Sequence, residues 1–384
     1  MYIGIDVDKN FLTIKEIDEE GNPIGKDKIS NSIQALERFS QKHEKHSKIA
    51  LEASSYSMFG YRYLAKQGFE VHMAHPGALH KIIQSNNKTD EHDALDLAQL
   101  LRTGYLPESW VPDEELESLR SLINRRVELG KRSTQVKNRI HGLLALNGVK
   151  EPRATDLFGK AGIHFLEHLQ LPAEFKQVLE SLLRELAYLK EEIGLLESKL
   201  AKQGKEGRFK KEVKRLMEIR GVDFYSALAD MAVIGTVERF PDDRKISSWV
   251  GIVPRVRQSG SKEYHGHITK AGSGLLRWIL ISNANVAVKY PGKLRRYYLR
   301  LKARVGHGRA IVATAHKLLK IIYHMLKEDK HYEERDDDLF YRKLSRMNQK
   351  ANCKKTPRLD SLERKGREIF IKEGRIMNTD KSFS

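Results

Sequence analysis

The sequence predicts an α/β domain over residues 1–110, a helical middle over 111–205 and a mostly helical domain over 206–330, followed by a charged tail over 331–384. Three observations carry this prediction. Short β-rich runs alternate with helical periodicity as far as Pro107 and Pro112, leucines then recur at heptad spacing from Leu179, and a strongly basic, helix-patterned stretch follows Gly207.

Residues 2–7 and 11–17 are β-rich runs separated by Asp8-Lys9-Asn10, which predicts a hairpin, and a third run covers 23–29. Ile33, Leu36 and Phe39 lie at helical spacing and predict an amphipathic helix over 32–43. An apolar run at 49–53, a helix over 56–67, a strand over 70–74 and helices after Pro76 and Thr89 complete the domain. Three strands in meander order, then helix alternating with strand, put the first strand inside a mixed sheet. That is the order used by ribonuclease-H-like nucleases.

Beyond Pro112 glycine and proline thin out, and residues 114–147 read as long helix. Leu179, Leu182, Leu186, Leu189, Ile193, Leu196 and Leu200 are spaced alternately three and four apart, which predicts a heptad seam. A coiled-coil arm is the favoured reading, paired with its neighbouring helix or with another subunit; the alternative is a helix packed within its own domain. Residues 204–207 break this helix. Ile219-Arg220-Gly221-Val222 then reads as a tight turn between helices, of the helix-hairpin-helix kind that offers backbone N–H groups to a phosphate. The tail is charged and poor in periodicity, and is expected to be an appended, partly disordered segment.

Composition narrows the function. Hydrophobic residues make up 40% of 384, enough to fill two or three cores. The formal charge of +18 calls for a polyanionic partner, either nucleic acid or an anionic membrane surface. No apolar run approaches membrane-spanning length, and Asp6 and Asp8 stand where a signal peptide would be basic and then apolar, so a cytoplasmic protein with no membrane partner is expected. The single cysteine, Cys353, excludes an internal disulfide and a cysteine-based zinc site. Residues 251–330 hold seventeen Lys/Arg against three Asp/Glu, so the basic surface belongs to the C-terminal half.

The acidic residues point to chemistry. Asp6 sits inside an apolar β-run and Glu52 ends another, positions where a carboxylate is costly unless it is paired or bound to a cation. Asp90 and Asp93 lie three apart in the first turn of a helix capped by Thr89, and so project from one face. Asp90 and Asp93 taken alone read better as helix-terminal acids that complement the helix dipole; Asp6 and Glu52 inside strands reverse that reading in favour of a site. Four gathered carboxylates repel unless a divalent cation neutralises them, and oxygen ligands select Mg²⁺ or Mn²⁺. Two-metal phosphoryl transfer on a nucleic-acid backbone is the chemistry this implies. Asp96, one turn beyond Asp93, reads as a surface acid.

In the C-terminal half Ser259 lies in a polar Gln-Ser-Gly-Ser loop flanked by Arg255, Arg257 and Lys262, cations that could stabilise a phosphate under attack by a hydroxyl. Ser261 competes with it, and as a bare pattern Ser-Gly in a basic loop reads first as a simple turn. Residues 293–300 interleave Lys293, Arg295, Arg296 and Arg300 with Tyr297 and Tyr298. This patterning suits phosphate neutralisation and base stacking, with at least one tyrosine packed inward. Lys270 joins these as a nucleic-acid-binding candidate.

Gly4-Ile5-Asp6-Val7, Leu51-Glu52-Ala53-Ser54, the run from Lys88 to Ala94, and Val256-Arg257-Gln258-Ser259-Gly260 together resemble the DEDD transposases of bacterial insertion sequences, described as bridge-RNA-guided recombinases. The resemblance covers roughly residues 2–327. It implies a RuvC-like N-terminal domain whose four acids are Asp6, Glu52, Asp90 and Asp93, and a C-terminal transposase domain with Ser259 as nucleophile, forming a phosphoserine link to DNA. It also implies donor and target DNA, a structured guide RNA, and a homo-oligomer, dimer or tetramer, whose subunits bring the two parts of the site together. One departure is Gly221-Val222-Asp223, where the family has a glycine-richer turn. Two alternatives remain: a metal-dependent nuclease of the Holliday-junction-resolvase kind, and a non-catalytic nucleic-acid-binding scaffold.

Overall fold

Alternation of Ile3 and Ile5 with polar or small neighbours makes the first strand half-buried, and sheet pairing completes its burial on both sides. Strands β1 (Tyr2–Val7), β2 (Phe11–Ile17) and β3 (Pro23–Ser30) form the antiparallel meander. Helix α1 (Ile33–Lys42) follows, its N-cap Ser32 accepting from the Ala35 N–H. Strand β4 (Lys48–Glu52), helix α2 (Ser57–Lys66), strand β5 (Glu70–Ala74), and helices α3 (Pro76–Ile82) and α4 (Asp90–Arg102) complete the first unit. The sheet order is β3-β2-β1-β4-β5, with β4 and β5 parallel to β1. It is the mixed sheet expected of a ribonuclease-H-like domain, with β1 at its centre. The computed structural model describes residues 1–83, 89–150, 156–259 and 262–353.

The chain divides into two compact units, Met1–Asp113 and Glu114–Ser384. In the second, α5 (Glu114–Leu146), α6 (Lys160–Glu167) and α7 (Ala173–Glu206) come first. The leucine seam of α7 packs on α5 of the same chain, Leu179, Leu186 and Leu189 sharing a core with Leu129, Val136, Ile140 and Leu144. The ion pairs Arg126–Glu197 at 2.6 Å and Arg132–Glu185 at 3.6 Å run in opposite senses along the two helices, so the pair is antiparallel.

The larger core lies among α5, α7, α8 (Lys210–Leu216), α9 (Phe224–Ile234), α10 (Asp243–Val250), α11 (Gly274–Ala287) and α12 (Lys293–Lys327, broken at Gly306). Between α10 and α11 the chain forms a hairpin, β6 (Pro254–Ser259) and β7 (Lys262–Ile268), where the sequence reads as a polar loop. Its strands are largely solvent-exposed, with Val256 and Tyr264 outward, so no in-and-out hydrophobic alternation marks them. No helix among the described residues is long and apolar enough to cross a membrane.

Two expectations are corrected here. The turn at Gly221 is not an open phosphate cradle: a Cβ on Gly221 would lie 2.4 Å from the Asn283 carbonyl of α11, so the turn is pressed into the core. The N-terminus of α9 is already capped by Asp223, whose carboxylate accepts from the Phe224 N–H at 2.8 Å and takes the place an anion would need. The described part of the charged tail, 331–353, packs on the core of the second unit and is not an appendage. Its helix α13 (Asp337–Ala351) buries Phe340 and Met347, and its Lys343 donates to the carbonyls of Met217, Ile219 and Val222, each at 2.7 Å. Several charges of this described part are spent on the fold. Buried Glu218 accepts from the Tyr332 N–H at 2.9 Å and from Arg335 at 3.1 Å, and Arg220 pairs with Asp336 at 3.0 Å.

Asp230 on α9 is fully buried, neither carboxylate oxygen has a hydrogen-bond partner, and burial pushes its carboxyl well above the usual range. A raised folded-state pKa means that the folded state keeps a proton which the unfolded chain loses above its own carboxylate pKa. Stability attributable to this group is therefore complete in acid and falls as pH rises, by at most about 1.4 kcal/mol per pH unit. Asp230→Asn should match the parent near pH 4 and exceed it progressively toward pH 8 in urea titrations. A gap that does not widen with pH would place the charge of Asp230 elsewhere.

Candidate active site

Parallel pairing of β1 with β4 runs as far as Ile5 opposite Leu51, so Asp6 and Glu52 lie side by side toward the C-terminal ends of adjacent strands. Helix α4 crosses that sheet, and Gly4 sets how closely. A Cβ at Gly4 would stand 1.8 Å from the Ala94 carbonyl and 2.7 Å from the Ala98 N–H, so only glycine in the strand against alanines on the helix permits the approach. The consequence is positional: the first turn of α4, with Thr89 capping through the His92 N–H at 3.3 Å, carries Asp90 and Asp93 to the end of β1.

Burial, then the charges of Asp90, Asp93 and Glu52, push the Asp6 carboxyl up to about 6. All four expected acids therefore act electrostatically on one point. Asp96, half-buried, is also raised, by burial and then by Asp93. The donor set is oxygen only, the chemistry that suits a hard divalent cation. Among the described residues, no three His, Cys, Asp or Glu side chains are gathered closely enough to hold an ion as they stand; Asp90 is turned toward Lys28 at 3.5 Å. Holding a cation requires these side chains to rotate toward Asp6.

Beside the acids lies an open groove of about 560 Å³ lined by Lys15, Lys26, Lys28, Thr89, Asp90 and Glu91. Lys15 pairs with Glu91 at 2.6 Å and holds its carboxyl below the usual range. These lysines escaped the sequence reading. The signal was present as three cations on one face of neighbouring strands, Lys15 opposite Lys26 with Lys28 two residues on, legible only once β2 and β3 are known to pair.

In the second unit the candidate nucleophile Ser259 ends β6, opposite Lys262 across the hairpin. Gly260 and Ser261, and the side chains of Arg257, Ser259 and Lys262, lie outside the described residues, as does Lys88 of the acidic motif. The base of the hairpin is firmly built. The Thr269 and Lys270 N–H groups donate to the carbonyls of Val253 at 2.9 Å and Gly251 at 3.0 Å. Arg277 ties the carbonyls of Val250 and Gly272 together at 2.7 and 2.8 Å. Lys270 itself is held at φ +57°, a left-handed conformation that is uncommon for lysine. Arg255 reaches back to the Thr269 carbonyl at 3.5 Å.

Residues 3–147 match the DEDD_Tnp_IS110 family, described as a transposase, and residues 213–299 match the family described as transposase IS116/IS110/IS902. The chain belongs to the IS110-type transposases. It is 29% identical over 336 residues to a Coxiella burnetii protein named transposase for insertion sequence element IS1111A, covering 86% of this chain and 90% of that one. It is 25% identical over 340 residues to a probable family 20 transposase of Pseudomonas aeruginosa, covering 86% and 98%. The protein is therefore an enzyme that acts on DNA.

In this transposase the cations expected to contact nucleic acid divide into two groups. Lys293 is bound to Glu333 through its ammonium and to Glu334 through its N–H, and Arg296 faces Glu334 at 3.7 Å. Arg295 donates to the carbonyls of Lys289 at 2.8 Å and Val288 at 3.3 Å, closing the C-terminal end of α11. Arg300 is exposed and lies over the Tyr297 ring. Tyr298 is the tyrosine packed inward.

Proposed function

We propose that this transposase cuts and rejoins DNA with Ser259 as nucleophile and with Asp6, Glu52, Asp90 and Asp93 as a site for Mg²⁺ or Mn²⁺. One observation carries the reading. Four carboxylates from three separate elements act on one end of a sheet, where burial first and then the charges of Asp90, Asp93 and Glu52 raise the Asp6 carboxyl, a cost that a bound divalent cation relieves. When bound, such an ion supplies stabilisation for charge that develops on phosphate oxygens.

The residues of the chain do the rest. The Ser259 Oγ attacks the scissile phosphorus; the Oγ–P bond forms as the phosphorus–oxygen bond to the departing sugar breaks, and the hydroxyl proton ends on the departing oxygen. A sugar hydroxyl of the exchanging strand reverses the step and frees the serine. Arg255, Arg257, Lys262 and Lys270, all on or beside the hairpin in the sequence, supply positive charge suited to the phosphate. Donor and target DNA are the substrates, and the resemblance adds a structured bridge RNA as guide and a dimeric or tetrameric assembly.

The metal site is tested by thermal melting. Mg²⁺ should raise the melting temperature of the parent, because a ligand of the folded state stabilises it. Asp6→Asn and Glu52→Gln should show a smaller rise and background recombination. Equal Mg²⁺ shifts in all three proteins would remove the acids from the site.

A further inference from the structure

Helix α12 contains ten Lys/Arg and no Asp or Glu. Its path is interrupted at Gly306, where φ is +77° and ψ 172°, a conformation open to glycine and strained for other residues. The two limbs meet there in an elbow. Every residue from Lys302 to Arg309 is exposed, as are Leu299 and Arg300. The elbow is nevertheless anchored. Leu294 and Tyr298 are buried before it and Ala310 and Ile311 after it, and the Tyr298 hydroxyl is hydrogen-bonded to His307 Nδ1 at 2.8 Å, joining one limb to the other.

The cations on this helix are used unequally. Lys293, Arg295 and Arg296 are engaged with the fold, and Lys320 pairs with Asp243 at 3.2 Å. At the elbow Arg300 and Lys302 lie over tyrosine rings, an arrangement that leaves their charge exposed, and Arg304 and Arg309 have no carboxylate within ion-pair distance among the described residues. Four like charges thus flank a bend held by a hydrogen bond. Arg300 and Arg304 are one turn apart, about 6 Å along the helix, comparable with the spacing of adjacent phosphates on a nucleic-acid strand.

We propose that the elbow at residues 299–309 is a docking surface for the phosphate backbone of double-stranded DNA, with Arg300, Lys302, Arg304 and Arg309 as its contacts. This rests on the reading of the chain as a transposase acting on DNA. Its test measures binding alone, so its failure would leave the serine and carboxylate chemistry standing. Such contacts position the duplex and carry no sequence information.

The experiment is a titration of a fluorescent duplex by the full-length protein at several salt concentrations. With all four residues changed to Gln, the slope of log affinity against log salt should fall by roughly three to four units, about 0.9 per phosphate contact. Arg304→Gln and Arg309→Gln alone should each remove about one. Lys293→Gln with Arg296→Gln should leave the slope within half of one unit of the parent, roughly. Tyr298→Phe, which removes the bridge to His307 and no charge, should weaken duplex binding several-fold with an unchanged melting temperature. An unchanged slope in the four-site variant overturns the proposal. So does a loss confined to a structured RNA hairpin of equal length, which would make the elbow an RNA surface.

Discussion

Ser259→Ala is expected to yield no denaturation-resistant protein–DNA adduct on a nicked substrate supplied with Mg²⁺ and guide RNA, under conditions where the parent accumulates one. A hydroxyl nucleophile leaves the protein joined to DNA part-way through reaction, whereas a two-metal nuclease activates water and never forms that bond. The variant loses one oxygen and no charge, so its DNA affinity should equal that of the parent. Ser261→Ala tests the neighbouring hydroxyl and should keep the adduct. An adduct from Ser259→Ala would make Ser259 a turn residue, and a parent that cuts DNA without ever forming an adduct would favour the resolvase-like nuclease.

Lys343→Met is expected to be the most destabilising single change outside the apolar core. Burial pulls the Lys343 ammonium down to about 8, so it still carries three donor hydrogens at neutral pH, and each meets one carbonyl of the turn over 217–222. Methionine fills the space and withdraws the ammonium from all three buried carbonyls; that of Ile219 keeps the Val222 N–H at 3.1 Å, and each group left unsatisfied costs about 1–3 kcal/mol. Equilibrium unfolding should show a loss of about 3–5 kcal/mol, the scale for removing a buried charge from its partners. A loss below about 1 kcal/mol would mean that water replaces the ammonium. Truncation before Asp337 should produce a larger loss, because α13 delivers the lysine and also buries Phe340 and Met347.

The N-terminal unit was legible in the sequence almost strand by strand. Its sheet is buried on its central strands, so period-two patterns and short turns such as Asp8-Lys9-Asn10 are local signals that survive without tertiary information. Asp6 and Glu52 stood out for the same reason: a carboxylate in an apolar strand is anomalous in its immediate context. The hairpin carrying Ser259 was not legible. Its exposed strands bear Val256 and Tyr264 outward and pair with each other, not with a core. The basic run over 293–300 was legible as charge, and its use was not. Arg295 closes the end of a neighbouring helix and Lys293 answers glutamates about forty residues later, partners that no window of sequence brings together.

By itself the sequence determined the element order of the first unit, the location of the positive charge and, through the resemblance, the transposase family, and it singled out the four candidate acids. These rest on short-range patterns and on residue types whose cost or charge is intrinsic. The tertiary structure decided what depends on neighbours distant in the chain. It showed that Gly4 admits α4 against the sheet and so brings Asp90 and Asp93 to Asp6, that the α7 seam is occupied by α5, and that Gly221 packs on α11 in place of cradling a phosphate. It also separated the cations bound within the fold from those left at the Gly306 elbow. The physical reason is common to all of these: packing and ion pairing are settled by which surfaces meet, and a side chain's charge or size is known before its partner is.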